Sequence, residues 1–151
     1  MVWGMIMPNG LLTIKIIGKN FKSEDYIDLL KTFAVPIIKL NYESITLVQD
    51  NCRVHVARKV MEYCNKERIK VIQWPSKSPD INLIENVWKM VSDKIYSDVQ
   101  PKNLKELEGI LFKAVKQINE EKRQTIQHLY SSYRERLTRI LISGGKILND
   151  V

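Results

Sequence analysis

Residues 45–74 read ITLVQDNCRVHVARKVMEYCNKERIKVIQW. The first six, ITLVQD, are a continuous apolar run ending in polar residues, the pattern of a strand buried on both faces. From Val56 onward the apolar positions Val60, Tyr63 and Cys64 recur at helical spacing, and IKVIQW at 69–74 forms a second short strand. A strand, a helix and a strand in that order make a parallel pair joined by the helix. The unit sets the class as α/β.

Working outward, VWGMIM and LLTIKIIG flank Pro8-Asn9-Gly10, and Asn-Gly between two apolar runs marks a hairpin. Ser23 precedes EDYIDLLKTFAVPIIKL, where Tyr26, Leu29, Leu30 and Phe33 share one face; a helix is expected, with Pro36 inside it or ending it. On the other side, Trp74-Pro75 opens a loop through Pro79. Ile84, Val87, Trp88, Val91 and Ile95 then make a stripe of 3.6-residue period. Asn103 with Glu106 resembles a capping box and starts a helix marked by Leu104, Leu107, Leu111, Val115 and Ile118. A last helix carries Ile126, Leu129, Tyr130, Tyr133, Leu137, Ile140 and Leu141, and Gly144-Gly145 stops it. No repeat or linker interrupts the chain, so residues 1–151 are expected to form one domain.

The apolar and charged fractions, 44% and 27%, are those of an ordinary globular protein. No apolar run approaches a membrane span, and MVWGMIMPNG lacks the basic start and long apolar run of a signal peptide. Cys52 and Cys64, without CxxC spacing, fit reduced thiols in an intracellular protein better than a disulfide framework or a zinc site. Residues 1–50 are neutral on balance, so the net charge of +7 falls in the remaining two-thirds. A polyanionic partner such as DNA accounts for that excess, and so does a solvated helical surface.

Functional groups in open α/β sheets collect beyond the carboxyl ends of the parallel strands. Asp50 stands at such an end. It reads as a solvated terminator, as a carboxylate bonded to the next turn, or as a metal ligand. Glu85 falls in the first turn of the helix that follows WPSKSPDINL, where it complements the macrodipole and pairs with Lys89 four residues on. Nothing local requires more of it. The tryptophans Trp3, Trp74 and Trp88 read as core anchors, and Arg134, Arg136 and Arg139 as either phosphate contacts or a solvated face.

Taken together, these residues resemble a known family. Asp50 and Glu85 are separated by 34 residues. Gln49, Asp50, Asn51 and His55 surround the first acid; Trp74, Pro75, Ser78, Pro79, Asp80, Asn82, Ile84, Asn86 and Trp88 surround the second. In this the chain resembles the catalytic core of Tc/mariner-superfamily transposases, and MVWG with its NG turn and LYSSYRERL followed by Gly-Gly extend the likeness to nearly the whole sequence. The resemblance implies a ribonuclease-H-like fold (the integrase/transposase catalytic core) with C-terminal helices. It also implies nuclease and strand-transfer chemistry on DNA in a nuclear setting. Asp50 and Glu85 would be catalytic and metal-binding, with Mg²⁺ or Mn²⁺ as cofactor. Asn51, His55, Asn82, Arg134, Arg136 and Arg139 would contact DNA or support the site.

The same resemblance places a first acid on a strand preceding VWG, and no acid occurs before Glu24. The expectation is a domain truncated at its N-terminus, with an incomplete central sheet and two of three acids. Such a chain would bind metal weakly or not at all and would not cut DNA by itself. Leu83 replaces a proline common before the second acid, and Cys52-Arg53-Val54 replaces a small or proline-containing segment. The open sheet edge calls for one of three remedies: the hairpin docked directly on ITLVQD, a second chain as homodimer or protein partner, or poor folding alone. Two other readings stay open. One is an active enzyme whose missing acid comes from a longer chain or a partner; the other is an interaction module with no nucleic-acid role.

Overall fold

The computed structural model describes residues 1–41, 46–76, 78–96 and 101–144. Ile45 and Gly145, which the strand and helix-stop readings include, lie outside the described residues. The chain forms two compact units, Met1–Ile16 with Pro79–Val151, and Ile17–Ser78. The ribonuclease-H-like α/β class holds, with small sheets and mostly helices.

In the first unit, β1 (Val2–Ile6) and β2 (Leu12–Ile16) pair antiparallel, with Val2 opposite Ile16 and Ile6 opposite Leu12. The turn is closed by Met7 N–H donating to the Leu11 carbonyl (3.0 Å) and Gly10 N–H to the Met7 carbonyl (2.8 Å). Gly10 has φ +83°, a left-handed conformation that glycine adopts without steric cost, and a Cβ there would collide with the Arg123 carbonyl. On the strand itself, Gly4 lies under Trp88: a Cβ would come within 2.6 Å of the indole.

Four helices complete this unit: α4 (Leu83–Tyr96), α5 (Leu104–Glu121), α6 (Arg123–Ser131) and α7 (Tyr133–Ile142). The α4 stripe buries Val87, Val91 and Ile95 against Leu111, Val115 and Ile118 of α5, Ile126 of α6, and Leu12 and Ile14 of β2. Asn103 caps α5, its Oδ1 accepting from Glu106 N–H at 2.9 Å. The returning Glu106 carboxylate bonds the N–H of Lys102 (2.8 Å), one residue outside the cap. The single last helix expected from 126 to 141 is instead broken between α6 and α7. At the break, the hydroxyls of Ser131 and Ser132 both donate to the His128 carbonyl (3.1 and 2.7 Å), the local side-chain bonding that bends helices.

The two-stranded hairpin has outer edges, and side chains satisfy part of them. The Asn119 amide of α5 pairs with both backbone groups of Leu12, accepting its N–H at 2.8 Å and donating to its carbonyl at 2.9 Å. Tyr130 donates to the Ile6 carbonyl at 2.9 Å, and Arg123 Nε to the Asn9 carbonyl at 2.8 Å. Burial pushes the Tyr130 hydroxyl well above its ordinary range, so it stays a donor.

In the second unit, β3 (Thr46–Leu47) and β4 (Lys70–Val71) pair parallel, joined through α3 (Arg58–Lys66), as the βαβ reading expects. The strands are shorter than that reading and not buried on both faces. Thr46 and Leu47 are half-buried and Val48 is 41% exposed. Among the described residues β3 has β4 as its only ladder partner, so pairing stops before Gln49 and Asp50. Among the described residues the strands form two two-stranded sheets, β1 with β2 and β3 with β4. Helix α3 ends with Arg68 at φ +58°, and Ile69 N–H reaches back to the Cys64 carbonyl (2.8 Å), which turns the chain into β4.

Before this, α1 (Ser23–Leu29) and α2 (Val35–Asn41) are joined by a wide π turn, Leu30–Ala34. Pro36 lies inside α2. Lacking an N–H, it cannot bond the carbonyl four residues back, and a widened turn before it relieves the ring's clash with that carbonyl. Helices α1 and α3 bury Tyr26, Leu29, Val60 and Cys64. At the exposed rim Glu24 Oε1 accepts from Lys59 at 2.7 Å. That bond holds the Glu24 carboxyl down to about 2, from an ordinary 4.5.

Two outcomes are expected. Asn119→Ala leaves two strand groups unpaired and lowers unfolding free energy by about 1–3 kcal/mol, read by urea denaturation. Glu24 has a folded pKa below its unfolded one, so its contribution is present above pH 4.5 and fades as pH falls toward about 2. Glu24→Gln should flatten that part of the stability–pH curve, by a small amount because both partners are exposed.

Candidate functional site

Asp50 lies three residues past the end of β3 and is placed by a relay that starts in the core of the second unit. The buried Tyr26 hydroxyl donates to Gln49 Oε1 at 2.7 Å. Gln49, 8% exposed, donates through Nε2 to the His55 carbonyl at 3.0 Å. The Tyr26 and His55 rings lie 4.4 Å apart, centroid to centroid. The His55 imidazole then meets Asp50, Nδ1 to Oδ1 at 2.7 Å. Burial above all, with Cys64, Asp50 and Cys52 nearby, pushes the Tyr26 hydroxyl well above its ordinary range, so it remains protonated and able to donate.

The loop after Asp50 folds back on the same carboxylate. Cys52 N–H donates to Asp50 Oδ1 at 3.0 Å, and the Cys52 carbonyl accepts from His55 N–H (2.8 Å) and Val56 N–H (3.1 Å). Asn51 Nδ2 donates to the Trp74 carbonyl at 2.8 Å, tying together the ends of the segments that follow β3 and β4. Asn51 is therefore a support of the loop. Both bonds to Asp50 end on Oδ1, which leaves Oδ2 outside them.

Glu85 belongs to the first unit, exposed in the opening turn of α4. A 3-10 turn over Pro79–Ile81 precedes it. Asn82 N–H bonds the Pro79 carbonyl and Glu85 N–H the Asn82 carbonyl, both at 3.0 Å, so Asn82 acts through its backbone in starting the helix. Leu83, in the place of the family's proline, is the first residue of α4. Beside Glu85, Asn86 Oδ1 accepts from Arg136 Nη1 at 3.0 Å, a link between α4 and α7 that occupies Arg136. Arg134 and Arg139 are exposed.

Two residues escaped sequence reading. Tyr26 was legible only as a core position, yet its hydroxyl anchors the relay. Cys52 was legible only as a departure from the family pattern, yet its thiol lies with Asp50 and His55. The signal available was the short spacing Asp-x-Cys-x-x-His.

Comparison with known proteins bears on the family and the fold. Residues 1–108 match the family described as DDE superfamily endonuclease, and the chain belongs to that family. It is of the Tc/mariner transposase type. It is 28% identical to the Tc3 transposase of Caenorhabditis elegans over 152 aligned residues, covering 99% of this chain and 45% of that protein. It is 29% identical to the Tcb1 transposase of Caenorhabditis briggsae over 96 residues, 63% of this chain and 35% of the relative. The chain thus spans less than half the length of these relatives. In fold it is similar to the crystal structure of the catalytic core domain of BIV integrase, with a TM-score of 0.55 and 16% identity over 80% of this chain and 75% of that one.

The relay is testable. Tyr26→Phe keeps the ring against His55 but leaves buried Gln49 Oε1 without its donor, and is expected to cost about 1–3 kcal/mol in chemical denaturation. An unchanged stability would mean the hydroxyl does not anchor Gln49.

Proposed function

We propose that this chain carries part of a transposase endonuclease and strand-transfer centre acting on DNA, with Asp50 and Glu85 as two of its metal-holding carboxylates. The observation that carries the reading is their 34-residue separation inside the two motifs, with one acid in the loop just past β3 and the other in the first turn of α4. Exposed carboxylate oxygens suit a hard divalent cation, and Asp50 Oδ2 lies outside the two bonds that fix Oδ1. When bound, Mg²⁺ or Mn²⁺ supplies Lewis-acid activation of a water or 3′-hydroxyl and neutralises charge on the departing oxygen.

The protein's own part is positioning. His55 and the Cys52 amide hold Asp50 Oδ1, Gln49 and Tyr26 hold His55, and the Pro79–Ile81 turn sets the start of α4 under Glu85. The net charge of +7, with Arg134 and Arg139 exposed on α7, supports phosphate contact and a nuclear setting. The outer edges of the two small sheets would be paired by a further strand, from a longer chain or a second copy.

With two of the three acids that the resemblance calls for, the 151-residue polypeptide assayed alone should bind DNA without cutting it. Salt-dependent binding, with the log–log slope reduced by about two in the Arg134→Ala, Arg139→Ala double variant, is the expected result. Nicking of supercoiled DNA in Mn²⁺ that Asp50→Ala abolishes would overturn the non-cutting part. Absence of any salt-dependent DNA binding would overturn the DNA-binding part.

A further inference from the structure

Asp50, Cys52 and His55 bring a carboxylate oxygen, a thiol sulfur and an imidazole nitrogen within 4.8 Å of one another. We propose that these three side chains form a binding site for a borderline-soft divalent cation of the Zn²⁺ class, separate in its donor set from the Asp50–Glu85 reading and sharing only Asp50 with it. The case begins with donor chemistry. Mg²⁺ takes oxygen ligands and gains little from a thiol, whereas Zn²⁺ takes sulfur, nitrogen and oxygen together, often with three protein ligands and one open position.

The geometry is close to what such an ion needs. Tetrahedral Zn²⁺ sets its ligand atoms about 3.5 Å apart. The three atoms already lie within 4.8 Å, and the Asp50–His55 pair, at 2.7 Å, would part slightly to admit the ion. Closing the rest takes side-chain rotation at Cys52, which is exposed and not packed into the core. The loop itself is already held. Its His55 carbonyl is bonded by buried Gln49, the His55 ring rests on Tyr26, and Asn51 fastens the loop to the Trp74 carbonyl. These anchors come from α1 and from the segments after β3 and β4, outside the three ligands, so little of the loop remains to be ordered by binding.

A second thiol makes a contrast. Cys64 is fully buried on α3, and burial pushes its thiol pKa up, which suits packing and not ligation. Cys52 is the thiol in reach. Occupancy at Asp50, Cys52 and His55 would break the Asp50–His55 hydrogen bond, shift the imidazole proton from Nδ1 to Nε2 and send the Cys52 proton to solvent. It would also take Asp50 out of the oxygen-ligand set, so a Zn²⁺-class ion would antagonise Mg²⁺ or Mn²⁺ at Asp50.

The test uses Co²⁺ as a spectroscopic stand-in, added to the 151-residue chain in a non-thiol reductant, followed by competition with Zn²⁺. A thiolate-to-cobalt charge-transfer band, displaced by Zn²⁺, is expected. Cys52→Ser should abolish it with affinity falling ~tenfold or more, His55→Asn should weaken it, and Glu85→Gln should leave it unchanged. Circular dichroism of Cys52→Ser checks that the fold is intact. A Co²⁺ spectrum without the band, or a band that survives Cys52→Ser, overturns the proposal. Co²⁺ binding that lacks the thiolate band and is lost in both Asp50→Asn and Glu85→Gln would overturn it while leaving the endonuclease reading standing.

Discussion

Backbone groups at a strand must be paired or wet, and this fold has very little strand with which to pair them. Its ladders are five residues long in one sheet and two in the other. The constraint is met by side chains standing in for absent neighbours. Asn119 presents to Leu12 the donor and acceptor that another strand would present, at 2.8 and 2.9 Å. Tyr130 and Arg123 do the same for single carbonyls at Ile6 and Asn9. Each of these residues reaches β1, β2 or their turn from α5 or α6, so the helices do more than cover an apolar face. They supply part of the hydrogen bonding at the hairpin's outer edges.

The same device builds the site. A strand of two residues cannot carry Asp50 on its ladder, because pairing has stopped at Leu47 apart from the Ile72 amide, which still reaches the Leu47 carbonyl at 3.1 Å. Beyond that point the chain is held by Gln49, whose amide bonds Tyr26 on one side and the His55 carbonyl on the other. Burial keeps the Tyr26 hydroxyl protonated, which keeps it a donor, which keeps Gln49 oriented. Asp50 thus owes its position to a buried phenol that touches it only through intermediaries. A functional acid can be placed by such a relay as firmly as by a long strand, provided each polar atom in the relay is satisfied. Among the described residues no buried side-chain nitrogen or oxygen lacks a partner.

How much of this could be read from residues alone depends on whether the signal was local. Pro8-Asn9-Gly10 between apolar runs, the α4 stripe of Val87, Val91 and Ile95, and the Asn103 cap are local, and each stands where the pattern puts it. ITLVQD was overread, since an apolar run cannot say whether a partner exists on each edge, and here only one does among the described residues. Ser131-Ser132 broke the last helix because two hydroxyls compete for the His128 carbonyl, while the apolar spacing ran straight through. Pro36 was legible as a disturbance, but the widened turn that absorbs it lies upstream. For the candidate site, the spacing and motifs singled out Asp50 and Glu85, whereas Tyr26 lies 24 residues before Asp50 and carries no motif at all. Arg136, grouped in sequence with Arg134 and Arg139, turned out to be bonded to Asn86.

The two acids also differ in what surrounds them, and this difference bears on how each can serve a cation. Glu85 opens a helix, where the ends of backbone dipoles favour a carboxylate whatever the metal. Asp50 sits among a thiol, an imidazole and a backbone amide, and as a proposed cation site this neighbourhood would discriminate between metals by the softness of their preferred ligands. Substituting Cys52 would remove the sulfur while leaving the Asp50–His55 bond and the amide bond in place, because neither uses the thiol. The loop's shape and the proposed ligand set are therefore separable: the shape rests on Tyr26, Gln49 and Asn51, and the proposed metal preference would rest on one exposed side chain. If Asp50 holds a cation as proposed, a single change at position 52 would alter which ion competes for it without removing the bonds that fix the carboxylate.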